Sequence, residues 1–155
     1  MESARIARVN IIDLVELTAN NMDALIFPGG FGAVLNLCDF ALKDADCDIH
    51  PEVNQIIQEM MKANKPLGFI CIAPALFARA AKSSEKTIKI TIGNDQATAD
   101  EIVKLGSQHE MCTVDDFIVD EENKIVSTPA YMLANSISEA ASGIEKLVKK
   151  ILEWV

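Results

Sequence analysis

Apolar residues fall along this chain in two rhythms. Ala24-Leu25-Ile26-Phe27, entered from Asp23, and Leu67-Gly68-Phe69-Ile70 are short apolar runs without helical period, which predicts buried strands of a parallel sheet. Val53, Ile56, Ile57, Met60 and Met61 instead recur at i, i+3, i+4, i+7 and i+8. That is the buried stripe of a helix opened by His50-Pro51, with the proline in its first turn and the methionines as core filling. Ile137, Ala141, Ile144, Leu147, Val148 and Ile151 form a second stripe, with Lys149 and Lys150 near the negative helix end. Ala73–Ala81 is rich in helix formers, and Ala33–Leu42 reads as a short helix before an acidic loop, Lys43–Asp48. Thr87–Ile92 alternates and is β-branched, hence a strand that follows the polar loop Lys82–Lys86. Thr98-Ala99-Asp100-Glu101 fits a capping box, with Ile102 and Leu105 inward and Gly106 as the stop. After Ser107–Cys112, Phe117–Val119 and Lys124–Val126 flank the turn Asp120–Asn123 as a hairpin, and Thr128–Tyr131 leaves as a loop. At the start, Met1–Arg8 reads as a helical turn or two, Asn10–Leu17 as a short strand or an irregular return, and Asn20-Asn21 as a turn. Strands alternating with amphipathic helices predict an α/β layered fold, and 155 residues predict one domain.

Two strand ends carry candidate chemistry. Cys71 stands where the run Leu67–Ile70 meets the helix beginning at Ala73, with Pro74 in its first turn. A side chain on such a turn is held out of the sheet at the end where open α/β sheets build their sites, and the positive end of the following helix favours a thiolate there. The alternative is that Cys71 is a small buried hydrophobe. The other strand end is Pro28-Gly29-Gly30-Phe31-Gly32, either a plain tight turn or a loop whose N–H groups approach a ligand as an oxyanion hole requires. Parallel neighbours would place the two side by side.

Composition narrows the partners. A net charge of −9 argues against nucleic-acid binding, which needs a basic face. No apolar run approaches a membrane span, and no basic-then-apolar leader pattern opens the sequence. Cys38, Cys47, Cys71 and Cys112 form no C-x-x-C pair, which suggests a reduced, cytoplasmic protein, although an organelle-matrix protein whose transit segment was removed would look the same. Cys47 with His50, and His109 with Cys112, have zinc-like spacing, but two such pairs also arise by chance and no metal is assigned. For an acid–base partner of Cys71 the candidates are sparse. His109, beside Glu110 and before a predicted strand, is either that partner or simply solvated, while Asp115 and Asp116 suit a turn. There is no phosphate-binding glycine loop.

Asp23–Gly32, Gly68–Pro74 and Ser127–Met132, together with the opening Glu2–Arg8, resemble the ElbB family (enhancing lycopene biosynthesis protein, or isoprenoid biosynthesis glyoxalase). That family lies within the class I glutamine amidotransferase-like, PfpI-type superfamily, and the likeness runs over essentially the whole chain. It implies a flavodoxin-like three-layer sandwich with a mostly parallel sheet, a reactive cysteine at Cys71, and a homodimer or higher homo-oligomer. The matched motifs put Gly29, Gly30, Phe31, Gly32, Ile72, Thr128 and Pro129 around the oxyanion and substrate. Against the family pattern the chain lacks the first β–α unit, and with it the acidic residue that hydrogen-bonds the cysteine. A lost strand would leave apolar edges that favour association. Ile72 stands where PfpI-type proteases carry histidine, and His109-Glu110 is not the His-x-Glu of glutaminases, so both activities are disfavoured. What the resemblance leaves is a glyoxalase-like reaction on a small carbonyl substrate, without cofactor. In it Cys71 adds to a 2-oxoaldehyde, Gly30 and Ile72 N–H groups receive the oxyanion, and His109 stands in as acid–base. The alternative is a non-enzymatic protein that responds to redox state or binds a partner.

Overall fold

The computed structural model describes Arg5, Ala7, residues 11–84 and residues 86–155. Among them the strands in chain order are β1 (Leu25–Phe27), β2 (Leu67–Ile70), β3 (Lys89–Ile90), β4 (Gln108–His109), β5 (Ile118–Asp120) and β6 (Ile125–Thr128). The α-helices are α1 (Phe40–Lys43), α2 (Pro51–Lys62), α3 (Ala73–Ala81), α4 (Gln96–Lys104) and α5 (Ile137–Leu152). The main sheet runs β1-β2-β6-β5, parallel except for the β5–β6 hairpin, and β3 pairs in parallel with β4 in a second small sheet. This is the flavodoxin-like arrangement expected from the strand and helix alternation.

Layering follows from alternation within β2. Gly68 faces α5: a Cβ there would lie 2.6 Å from Ile151 Cδ1 and 3.1 Å from Leu147 Cδ2. Its neighbour Phe69 points the other way and stacks on Phe77 of α3, ring centroids 4.3 Å apart, and on Phe27 of β1 at 5.2 Å. Successive strand residues address opposite faces, so α5 covers one side and α3, backed by α2, the other. The α2 stripe is buried at Val53, Ile56, Ile57 and Met60, while Met61 sits at its margin.

Three sequence expectations change. Ala33–Leu42 is not one helix. Cys38 is drawn into an antiparallel bridge with Ile49, where Asp39 N–H donates to the Asp48 carbonyl (3.1 Å) and His50 N–H to that of Leu37 (2.8 Å). The chain is therefore extended at Cys38, between a wide helical turn at Ala33–Leu37 and α1. The cap of α4 is Asp95 rather than Thr98: its carboxylate accepts from Thr98 N–H at 2.9 Å, and Glu101, the supposed reciprocal partner, instead accepts from Ala45 N–H and Lys104. Of Thr87–Ile92 only Lys89–Ile90 forms a ladder, and the partner lies in Ser107–Cys112, as β4. Of the two expectations for Asn10–Leu17 the irregular one fits residues 11–17, which carry a 3₁₀ turn, Leu14–Glu16, capped by Asp13. The helical expectation for Met1–Arg8 lies outside the described residues except at Arg5 and Ala7, which are helical.

The hairpin is clamped at its turn. Buried Asp120 accepts from Asn123 N–H (3.1 Å) and Asn123 Nδ2 (3.0 Å), and its other oxygen takes Lys89 N–H at 3.0 Å, tying the two sheets together. Among the described residues no helix is long and apolar enough to cross a membrane.

Because Gly68 lets α5 lie directly on β2, Gly68→Val should overpack that contact and lower unfolding stability by about 1–3 kcal/mol in urea titration. A Gly30→Ala control, where a Cβ meets nothing within 4 Å, should lose only what its φ of +79° costs, about 1–2 kcal/mol.

Candidate functional site

The carboxyl ends of β1, β2 and β6 finish side by side because Leu25–Phe27 registers with Leu67–Phe69, and Leu67–Ile70 with Ile125–Thr128. Just beyond Ile70 the chain reverses sharply at Cys71, whose φ is +64°. A non-glycine residue in this left-handed region costs about 1–3 kcal/mol and is held there only by its surroundings. Here the Cys71 N–H donates to the Thr128 carbonyl at 3.0 Å, and from Ala73 the chain becomes a helix buried at nearly every residue. The thiol-bearing residue is 6% exposed.

Gly29 explains why the first strand end carries glycines. At φ +82° it lies against the elbow so closely that a Cβ would overlap the Ile70 carbonyl oxygen and stand 2.9 Å from Cys71 Cβ. The glycine loop and the cysteine are thus in direct contact, as their places on neighbouring parallel strands required. Among the described residues neither Gly30 N–H nor Ile72 N–H has a hydrogen-bond acceptor, whereas the Gly30 and Ile72 carbonyls accept from Ala33 and Ala75. Gly29 and Gly32 also wall an open, largely apolar cavity of about 840 Å³ with Phe27, Pro28 and Leu37. Asn36 brings an amide to it, its Nδ2 donating to the Gly32 carbonyl at 2.9 Å. Phe31 projects into solvent, 66% exposed.

Thr128 and Pro129 serve through backbone and packing. The buried Thr128 hydroxyl donates to the Asp116 carbonyl (2.7 Å), toward Gly143 of α5. Pro129 packs on Gly93, next to Leu133. Gly93, Leu133 and Ser127 were not singled out for function by their local pattern, since what marks them is contact across the sheets.

His109 is brought into a different setting from Cys71. It lies on β4 opposite Ile90, and its Nε2 accepts from Ile92 N–H at 3.2 Å. The lone pair needed for base catalysis at Nε2 is thereby engaged, and the ring proton sits on Nδ1. Burial pushes this imidazole below its ordinary value, against a smaller upward pull from Glu110. The zinc-like pairs do not assemble: among the described residues no three His, Cys, Asp or Glu side chains gather around a common point. Cys47 and Cys112 are pushed up to about 11, chiefly by burial, which keeps both protonated at neutral pH, and burial raises Cys38 as well. His50 is exposed at the start of α2, 3.7 Å from Glu52.

No family model matches the chain. It is 42% identical over 161 residues to the human mitochondrial glutamine amidotransferase-like class 1 domain-containing protein 3, an alignment that takes in 98% of this chain and 59% of that protein's length. A crystal structure of an isoprenoid biosynthesis protein with an amidotransferase-like domain from Ehrlichia chaffeensis superposes with a TM-score of 0.88 at 32% identity, covering 99% of this chain and 68% of that one. Glyoxalase III from Candida albicans shares the fold at a TM-score of 0.61 and 14% identity, over 91% of this chain and 60% of its own.

Two measurements test this geometry. Since φ +64° suits glycine and penalises any Cβ, Cys71→Gly should be more stable than Cys71→Ala by about 1–2 kcal/mol in urea unfolding. For His109, the unfolded ring takes up its proton near pH 6.5 and the folded ring only at lower pH. Stability is then complete above about pH 6.5 and declines as the pH falls through that value, until the folded ring also protonates. His109→Gln should abolish this part of the acid slope, seen by comparing unfolding midpoints of the two proteins from about pH 7 down to about pH 5.

Proposed function

The chain belongs to the class I glutamine amidotransferase-like family, and from that premise we propose that Cys71 is a nucleophile acting on a small 2-oxoaldehyde in a glutathione-independent, glyoxalase-like reaction. The observation that carries this reading is the elbow itself: a cysteine held at φ +64°, touching a glycine loop, with the Gly30 and Ile72 N–H groups unengaged among the described residues. A strained backbone at a strand-to-helix turn, beside a glycine loop, is the setting in which a nucleophile is held out of a sheet. The fold shared with glyoxalase III supports the choice of reaction, and the isoprenoid biosynthesis relative supports placing the chain near the ElbB proteins.

In the proposed reaction the Cys71 thiolate adds to the aldehyde carbon, forming a C–S bond and leaving the charge on the former carbonyl oxygen. The Gly30 and Ile72 N–H groups stabilise that oxyanion. Transfer of the proton from C1 to C2 turns the adduct into a 2-hydroxy thioester. Water then cleaves the C–S bond, releasing a 2-hydroxy acid and returning the thiol. His109 does not serve as the carrier through Nε2, which holds Ile92 N–H. The mitochondrial designation of the human relative supports an organelle-matrix location over a cytoplasmic one. A homodimer is part of the proposal, because among the described residues β1 is paired on one side only.

A second reading, a redox-responsive or partner-binding protein, is favoured by the open apolar cavity beside Gly29 and the 66% exposed Phe31. The two separate in one experiment. Conversion of phenylglyoxal or methylglyoxal to the hydroxy acid should be measurable by chromatography and fall at least about a hundredfold in Cys71→Ser, the scale of losing a nucleophile or an oxyanion contact. Equal turnover by the variant would eliminate the glyoxalase reading, whereas no turnover by either protein, with Cys71 still the most readily oxidised thiol, would support the second.

A further inference from the structure

We infer that His109 is a positioning residue for Cys71: its imidazole replaces a rung of the β3–β4 ladder and holds the Thr91–Asn94 strap against the turn that supports the elbow. The inference rests on the reading of Cys71 as the reacting group and adds the device that keeps it in place.

The ladder makes the substitution plain. Gln108 N–H donates to the Ile88 carbonyl (2.7 Å) and Glu110 N–H to that of Ile90 (3.0 Å), so the next rung of a parallel pair would carry Ile92 N–H to the Glu110 carbonyl. Ile92 N–H goes to His109 Nε2 instead, at 3.2 Å, and β3 leaves β4 at that point. The flanking N–H groups are also caught by side chains. Thr91 N–H donates to the buried Ser127 Oγ at 2.8 Å, and Gly93 N–H to Thr91 Oγ1 at 2.9 Å. Three successive backbone donors, in a segment buried from Ile90 to Gly93, are thus satisfied by side chains rather than by a strand.

What the strap supports is next to the cysteine. Gly93, at φ +104°, lies so close that a Cβ there would stand 3.0 Å from Leu133 Cδ1 and 3.2 Å from Pro129 Cβ. Pro129 follows Thr128, whose carbonyl holds the Cys71 N–H at 3.0 Å. From imidazole to strap, strap to Pro129, and Thr128 to Cys71, every step is a close contact or a peptide bond, and two of the links are hydrogen bonds. A neutral imidazole suits the first link because its Nε2 is a single acceptor at the distance a strand carbonyl would occupy. An aliphatic side chain would leave Ile92 N–H buried and unpaired.

The test compares His109→Leu, which keeps bulk and removes the acceptor, with His109→Gln, whose Oε1 accepts at similar reach. Residue-resolved amide hydrogen exchange by NMR at Ile92 and Cys71 is the readout, taken relative to core amides of α3 to correct for global stability. In the Leu variant both amides should exchange about five- to tenfold faster than the core correction allows, the scale of one lost hydrogen bond, and Gln should restore both to within about threefold. Faster exchange at Ile92 with Cys71 unchanged would overturn the inference, as would equal behaviour of Leu and Gln. If the Leu variant does not fold, Ser127→Ala removes the neighbouring acceptor at Thr91 N–H and must deprotect Cys71 in the same way. Exchange is read without substrate, so a failure of the glyoxalase reading, seen as absent turnover in the unmodified protein, remains distinguishable from a failure of the clamp.

Discussion

The register of three parallel strands governs everything else in this molecule. Once Leu25 faces Leu67 and Leu67 faces Ile125, the strands end at one level, and the Gly29 turn, the Cys71 elbow and the Thr128–Pro129 turn must share the same small volume. Only glycine fits at position 29, since any Cβ would strike the Ile70 carbonyl. The left-handed backbone of Cys71 is tolerable because both of its neighbours in the sheet hold it: the Thr128 carbonyl by hydrogen bond, the glycine loop by contact. A shift of one residue in either pairing would turn Phe69 away from Phe77 and bring a side chain where Gly68 meets α5.

The same register divides labour among the polar side chains. Ser127, Asp120 and His109 all accept from backbone N–H groups of the segment Lys89–Ile92, which joins the small sheet to the main one. Ser127 and Asp120 are buried and His109 half-buried, a setting in which an unmade hydrogen bond costs more than a made one contributes. Polar residues between the sheets therefore read here as substitutes for missing ladder partners.

Cysteine placement follows a related division. Cys38, Cys47 and Cys112 sit where burial keeps their thiols protonated, and none occupies a strained backbone. Among the four cysteines Cys71 is set apart by its left-handed backbone and by its contact with the glycine loop. The chain spans 59% of the length of its human relative, and this elbow lies within the shared part, since 98% of the chain is included in the alignment.

Local pattern alone determined the buried strands Leu25–Phe27 and Leu67–Ile70, the amphipathic helices Pro51–Lys62 and Ile137–Leu152, and the hairpin, because a period of two or 3.6 in apolar positions is a property of neighbours in sequence. The cysteine at a strand-to-helix join and the Pro-Gly-Gly stop were legible for the same reason: both are local backbone chemistry. The break at Cys38, the cap at Asp95 and the hydrogen bond from Ile92 N–H to His109 were not. The first depends on Ile49, the second on Glu101 being drawn away to Ala45, and the third on Ile92 losing its rung. In each, a side chain or backbone group had two admissible partners in sequence, and only the packed structure, by burying one of them, decided which hydrogen bond had to be made.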